Sequence, residues 1–152
     1  EIITLDQALE RGQEEPAAAF IVEPIQGEGG IVVPPAGYLK SAWELCHRHG
    51  ALFVAGEVQT GFGRTGRMFG VDHEGVEPDI MALARALGGG VAPIGTCIAT
   101  GRVWQRAYGS RDTCMLHDST FGGNALAFTG ARPIHRVSGG VPGVELAELQ
   151  AM

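Results

Sequence analysis

A chain of 152 residues with 45% hydrophobic residues is long enough to bury one core, and a charged share of only 18% is too low for a disordered segment. A formal charge of -6 gives no support for binding nucleic acid or an anionic membrane surface, and no apolar run nears the roughly 20 residues of a membrane helix. The start, Glu1-Ile2-Ile3-Thr4-Leu5-Asp6, has neither a basic region nor an apolar signal core, so a cytoplasmic protein is expected.

Thr4-Leu5-Asp6-Gln7 fits a capping box, with Gln7 three residues after the capping Thr4, and predicts a short helix to Arg11. Residues 17–25 form a continuous apolar run bounded by turn residues, as expected of a strand buried on both faces. After the Gly-rich residues 26–30, Tyr38, Leu39, Ala42, Trp43, Leu45 and Cys46 recur at helical spacing until Gly50 ends the pattern. Residues 51–55, 78–84 and 94–100 read as three more strands, and 61–67 as a turn-rich surface loop. A helical pattern over 124–132 is cut by Pro133. Residues 138–143 read as a loop, and 144–149 as at most two helical turns, too short to be stable undocked. Strands separated by helices or long loops predict an α/β fold with a mostly parallel sheet. The expected division is a large-domain-like part over 1–132 and a divergent tail over 133–152.

Cys46, Cys97 and Cys114 are widely spaced and odd in number, which argues against a disulfide framework; Cys46 and Cys97 fall in apolar patterns and read as buried packing residues. The five histidines show no metal-ligand spacing, and no metal is expected.

Four blocks carry a resemblance. They are Glu23-Pro24-Ile25-Gln26-Gly27-Glu28-Gly29-Gly30, Glu57-Val58-Gln59-Thr60-Gly61-Phe62-Gly63-Arg64-Thr65-Gly66, Asp79-Ile80-Met81-Ala82-Leu83-Ala84-Arg85-Ala86-Leu87-Gly88-Gly89-Gly90 and Ser119-Thr120-Phe121-Gly122-Gly123-Asn124. In this order they resemble class III aminotransferases, the ornithine and diaminobutyrate transaminase group, over about residues 17–130. The resemblance implies part of a fold type I large domain and a pyridoxal phosphate site. In it Val58 would lie against the ring, Gln59 near the ring hydroxyl, and Thr120 at a phosphate across a dimer interface. The residue-level alternative is a strand residue at Val58 and polar turn residues at Gln59 and Thr120.

Two positions depart from the family pattern. Arg85 stands where the family has the lysine that holds pyridoxal phosphate as an imine, and a guanidinium cannot form that imine. Gly56 stands where the family has the aspartate that keeps the pyridinium protonated, so the ring loses its electron sink. Lys40 is the sole lysine of the chain, and its place in an amphipathic helix predicts that it points to solvent. By the same resemblance, the phosphate-binding turn and the small domain with the substrate-binding arginine are absent.

Arg85 permits two readings: a cation filling the lysine's space and paired with Glu23 or Glu57, or an anion site. Glu23 and Glu57 as an acid–base pair, and His117 with Asp118, are weaker ideas. No catalytic residue is assigned. The expected function is that of a truncated, catalytically inactive aminotransferase-like protein, an accessory or partner-stabilising subunit acting through association with itself or another protein. No bound cofactor is expected; the alternative is a residual enzyme holding pyridoxal phosphate without a covalent link.

Overall fold

The structure, a computed structural model, describes residues 17–117 and 119–137. The helix predicted from the Thr4 cap, Asp118, and the segments at 138–143 and 144–149 lie outside the described residues. Four strands, β1 (Ala19–Val22), β2 (Leu52–Gly56), β3 (Ile80–Leu83) and β4 (Thr96–Ala99), form one sheet in the order β1-β2-β3-β4. The first three run parallel and β4 is antiparallel to β3, so the sheet is mostly parallel as predicted.

Between β1 and β2 runs helix α1 (Tyr38–Arg48), which turns Leu39, Ala42 and Cys46 inward. They join a core with Phe53, Ala55 and Leu83, against which Phe20, Val22, Met81 and Ile98 are packed. The pairings Phe20 with Phe53, Val22 with Ala55, Ala55 with Met81 and Met81 with Ile98 place all of these strand residues on one face. Gly37 and Lys40, at the open N-terminal end of α1, donate their backbone N–H groups to the carboxylate of Glu74 at 3.1 and 2.9 Å. A carboxylate from a distant loop thus caps a helix whose own N-cap residue is glycine.

The expectation that the strands are buried on both faces is met on one face only. Ala19 and Ile21 of β1 are exposed, Ile21 at 72%, and Val54, Ile80 and Cys97 on the same side are half-buried. The apolar run reported that the strand belongs in a sheet interior, and among the described residues the covering layer exists on one side. Cys97, expected in the core, lies on this second face, whereas Cys46 is fully buried and Cys114 exposed.

Helix α2 (Gly101–Tyr108) follows β4 directly; Thr100 at its N-cap and Val103, Trp104, Ala107 and Tyr108 at helical spacing were signals the sequence reading passed over. Helix α3 (Ala125–Val137) starts where predicted, with Asn124 Oδ1 accepting from the N–H groups of Leu126 and Ala127 at 3.0 and 3.1 Å. It runs through Pro133, which therefore does not end it. Proline has no N–H to give the carbonyl of residue 129, but about two turns of helix already precede Pro133, and the loss of one bond does not stop the helix. The expected boundary between 132 and 133 accordingly falls inside α3. Gly130 brings α3 against the loop before β4: a Cβ there would sit 3.4 Å from the Cβ of Ala92.

Candidate functional site

The C-terminal ends of the parallel strands are where open α/β sheets hold ligands, and the resemblance-bearing blocks converge there. Glu23 follows β1, Gly56 closes β2 with Glu57, Val58 and Gln59 next, and Arg85 follows β3. Gly56 pairs in register with Ala82, and Glu57 donates its N–H to the Ala82 carbonyl at 3.0 Å, which ties the two strand ends together.

Glu57 is fully buried and fully used. Its carboxylate accepts from the N–H groups of Gly70 and Val71 at 2.9 and 2.8 Å and from the Thr60 hydroxyl. That fixes the 3-10 turn Gly70–His73 under the strand ends. The close fit needs a glycine at 70, where a Cβ would fall 2.7 Å from the Pro24 ring. Glu23 accepts from the Gly27 N–H at 3.0 Å and holds the turn after β1. Neither carboxylate meets Arg85, so both partners expected for the arginine are wrong; each serves its own backbone donors. Glu57 is already committed to the Gly70 and Val71 N–H groups and the Thr60 hydroxyl.

Arg85 pairs with Glu28 instead, a residue the sequence reading did not single out for this role. The contact is long, 3.8 Å, and both side chains are open to water, Arg85 at 55% and Glu28 at 88%. Gln59 Nε2 donates to the same carboxylate at 3.4 Å, so Gln59, Glu28 and Arg85 stand in a row. Arg85 opens the 3-10 turn Arg85–Gly88 with φ +44°, in the left-handed region that costs a side-chain-bearing residue roughly 1 kcal/mol or more. The turn directs it to a cavity of about 690 Å³, lined also by Pro93, Ile94, Ser119, Phe121 and Leu126. Thr120 is exposed between Ser119 and Phe121, and Val58 is 36% exposed.

The residues present do not fit a covalently held pyridoxal phosphate. Arg85 brings no amine that can form an imine, and Gly56 no carboxylate for the pyridinium. Space does not impose the glycine: a Cβ on Gly56 would meet Glu23 Cγ and the Val22 carbonyl at 3.5 Å, ordinary contact. Lys40 is no substitute. It is half-buried rather than directed freely into solvent, with Nζ 4.1 Å from the Trp43 ring centroid, because its aliphatic stem and cation both gain from the indole face.

A second polar joint braces the sheet from below. Asp79, buried just ahead of β3, accepts from the Phe53 N–H at 2.9 Å and pairs with His47 at 3.1 Å and Arg102 at 3.0 Å, linking β2, α1 and α2. Burial, followed by the Asp79 charge, pushes the Cys46 thiol up; burial alone raises that of Cys97.

The profile described as Aminotransferase class-III matches residues 2–134. The chain belongs to the class III aminotransferase family. Among similar solved structures, ornithine aminotransferase from Plasmodium yoelii is 40% identical over 90% of this chain and 36% of its own, with a TM-score of 0.75. The (S)-enantioselective omega-transaminase from Thermomicrobium roseum is 36% identical over 88% of this chain and 30% of its own, with a TM-score of 0.81. Ornithine aminotransferase from Toxoplasma gondii, crystallised with oxidised glutathione and carrying pyridoxal phosphate at partial occupancy in its active site, is 42% identical over 91% of this chain and 33% of its own, with a TM-score of 0.74. The chain thus spans about a third of the length of these aminotransferases. Among the described residues, no helix is long and apolar enough to cross a membrane.

Proposed function

We propose that this class III aminotransferase chain performs no transamination by itself and acts through association, with a second copy of the chain as the first expected partner. Arg85 carries the first half of that reading: a permanently protonated guanidinium stands at the end of β3, where the resemblance calls for the imine-forming lysine. Gly56 supports it independently, since the imine and the protonated pyridinium are separate requirements of one mechanism. Association is supported by the apolar surface at Ile21, Val91, Met115, Leu116, Phe121 and Leu126, each at least 70% exposed. An interface of standard size buries roughly 1,600 Å², at about 25 cal/mol per Å² of apolar area before the cost of association.

The purified chain should be colourless, and borohydride should leave no phosphopyridoxyl group on Lys40; an adduct there, or turnover of an amino acid, would sink the first half. Light scattering at micromolar concentration addresses the second. A mass of two copies supports it, a complex with another protein changes the partner, and a clean mass near 15.9 kDa refutes association.

Non-covalent pyridoxal phosphate is the second reading, favoured by the size of the cavity beside Arg85 and by the cofactor in the Toxoplasma relative. Visible absorption that dialysis removes, with no borohydride adduct, would select it.

A further inference from the structure

We propose that the free edge of β1 is the seam at which two copies of this chain join their sheets, antiparallel about a two-fold axis at Ile21. The inference rests on the reading that the chain associates with a second copy; it adds the surface, the register and the residue at the centre.

Three observations carry it. The first is an open ladder: among the described residues, β1 has a neighbour on one side only, β2. The Leu52 N–H donates to the Ala18 carbonyl at 2.9 Å, and Ala19 is in register with Leu52. In a parallel pair of that register Phe20 and Val22 turn their backbone groups to β2, so Ala19 and Ile21 point theirs outward. The second is the lack of any device that blocks pairing. Ala19–Val22 holds no charge, no proline and no glycine, whereas edge strands kept single carry charges, prolines or a cover. Ile21 is 72% exposed, while each residue of β4, the other edge, is buried or half-buried. The third is that the strand complements itself. With Ile21 set antiparallel against its own copy, the two residues exchange two N–H···O bonds, because the outward groups of both face the seam. Phe20 then lies beside Val22 of the second copy on the core face. Ala19 lies beside Glu23 of the second copy on the open face, so no like charges meet in the seam although each copy carries -6. A slip of one residue would put Phe20 opposite Ile21, and these point to opposite sides of the sheet. A slip of two would set Ile21 against the small Ala19 and lose the large apolar pair. A two-fold seam uses each β1 edge once and so closes at two copies.

Sedimentation velocity of the full chain at micromolar concentration reads the seam, and the native chain should run as a dimer. Ile21→Pro removes the central N–H of the seam yet spares the β1–β2 bonds, which Ile21 does not make, and should weaken the dimer about tenfold or more. Ile21→Lys should do the same by setting a charge against its own copy. Val91→Lys, at a similarly exposed apolar residue in the loop between β3 and β4, should leave the dimer unchanged. In a Cys114→Ser background, Ile21→Cys should cross-link to its copy on oxidation, since the paired Cα atoms stand about 5.5 Å apart, within disulfide reach. Peptide mass spectrometry without reduction reads that link. A dimer that survives Ile21→Pro with its circular dichroism intact defeats this inference and leaves association standing, and so does a dimer in which Ile21→Cys forms no link. Should Ile21→Pro fail to fold, the Ile21→Cys link decides alone. A native chain that runs at 15.9 kDa defeats the association reading and this inference with it. Slow hydrogen exchange at the Ile21 amide of such a monomer would show that the rest of the chain itself covers the edge.

Discussion

Glu57 and Arg85 lie just past the ends of adjacent parallel strands, within the same signature-bearing layer, yet one is built into the fold and the other is set upon it. Glu57 has no exposure and three donors; Arg85 is mostly in water, with one long ion pair and an unfavourable backbone angle. A buried carboxylate lacking its donors would have to be desolvated without compensation, so the surrounding turn is shaped around it. An exposed guanidinium makes no such demand. The scaffold end of the aminotransferase signature is thus intact at the level of hydrogen bonds, while the end at which the family's chemistry takes place is loosely held.

The comparison breaks most visibly if Glu57 proves dispensable. Glu57→Ala strands two buried backbone N–H groups and a hydroxyl, and should cost about 4 kcal/mol in urea unfolding at unchanged m-value. A loss under about 1 kcal/mol would mean that water serves the turn as well as the carboxylate does. Asp79→Ala tests the second joint, where two of the three partners reach in from half-exposed or exposed positions, and about 2 kcal/mol is expected. Asp79→Asn should lose less, since its amide oxygen can still accept from Phe53.

Thiol chemistry sharpens the contrast between closed and open regions. Burial disfavours the thiolate, so the raised pKa of Cys46 lowers its thiolate fraction at neutral pH and moves its reactivity toward alkaline pH. Alkylation of the native chain should mark Cys114 first, Cys97 more slowly and Cys46 only on unfolding, as read by peptide mass spectrometry. Labelling of Cys46 ahead of Cys114 would show that α1 opens from the sheet.

The smallest effect belongs to Arg85. Arg85→Gly relieves the left-handed backbone and loses a solvent-exposed ion pair worth little, but glycine also gains freedom when unfolded. Stability should stay within about 0.5 kcal/mol of the native chain. A cost well above that would show Arg85 to be as structural as Glu57.

The sequence alone determined the family and most of the elements. Apolar runs of strand length, a helical apolar stripe ending at Gly50 and signature blocks in order are local patterns, and the four strands with α1 and the start of α3 follow from them. Pro133 misled because a rule about one hydrogen bond was read as a rule about a whole helix. That residue 56 carries no carboxylate and residue 85 no amine is read from the sequence itself, since side-chain chemistry needs no coordinates. Only the tertiary structure decided which carboxylate serves which partner. Glu57 reaches the turn at 70–71, Asp79 gathers His47, Arg102 and the backbone of Phe53, and Glu28 rather than Glu23 or Glu57 faces Arg85. Those pairings join residues up to 57 positions apart, Glu28 and Arg85, and what selects them is the register of the sheet and the desolvation of each charge, quantities that no local pattern contains.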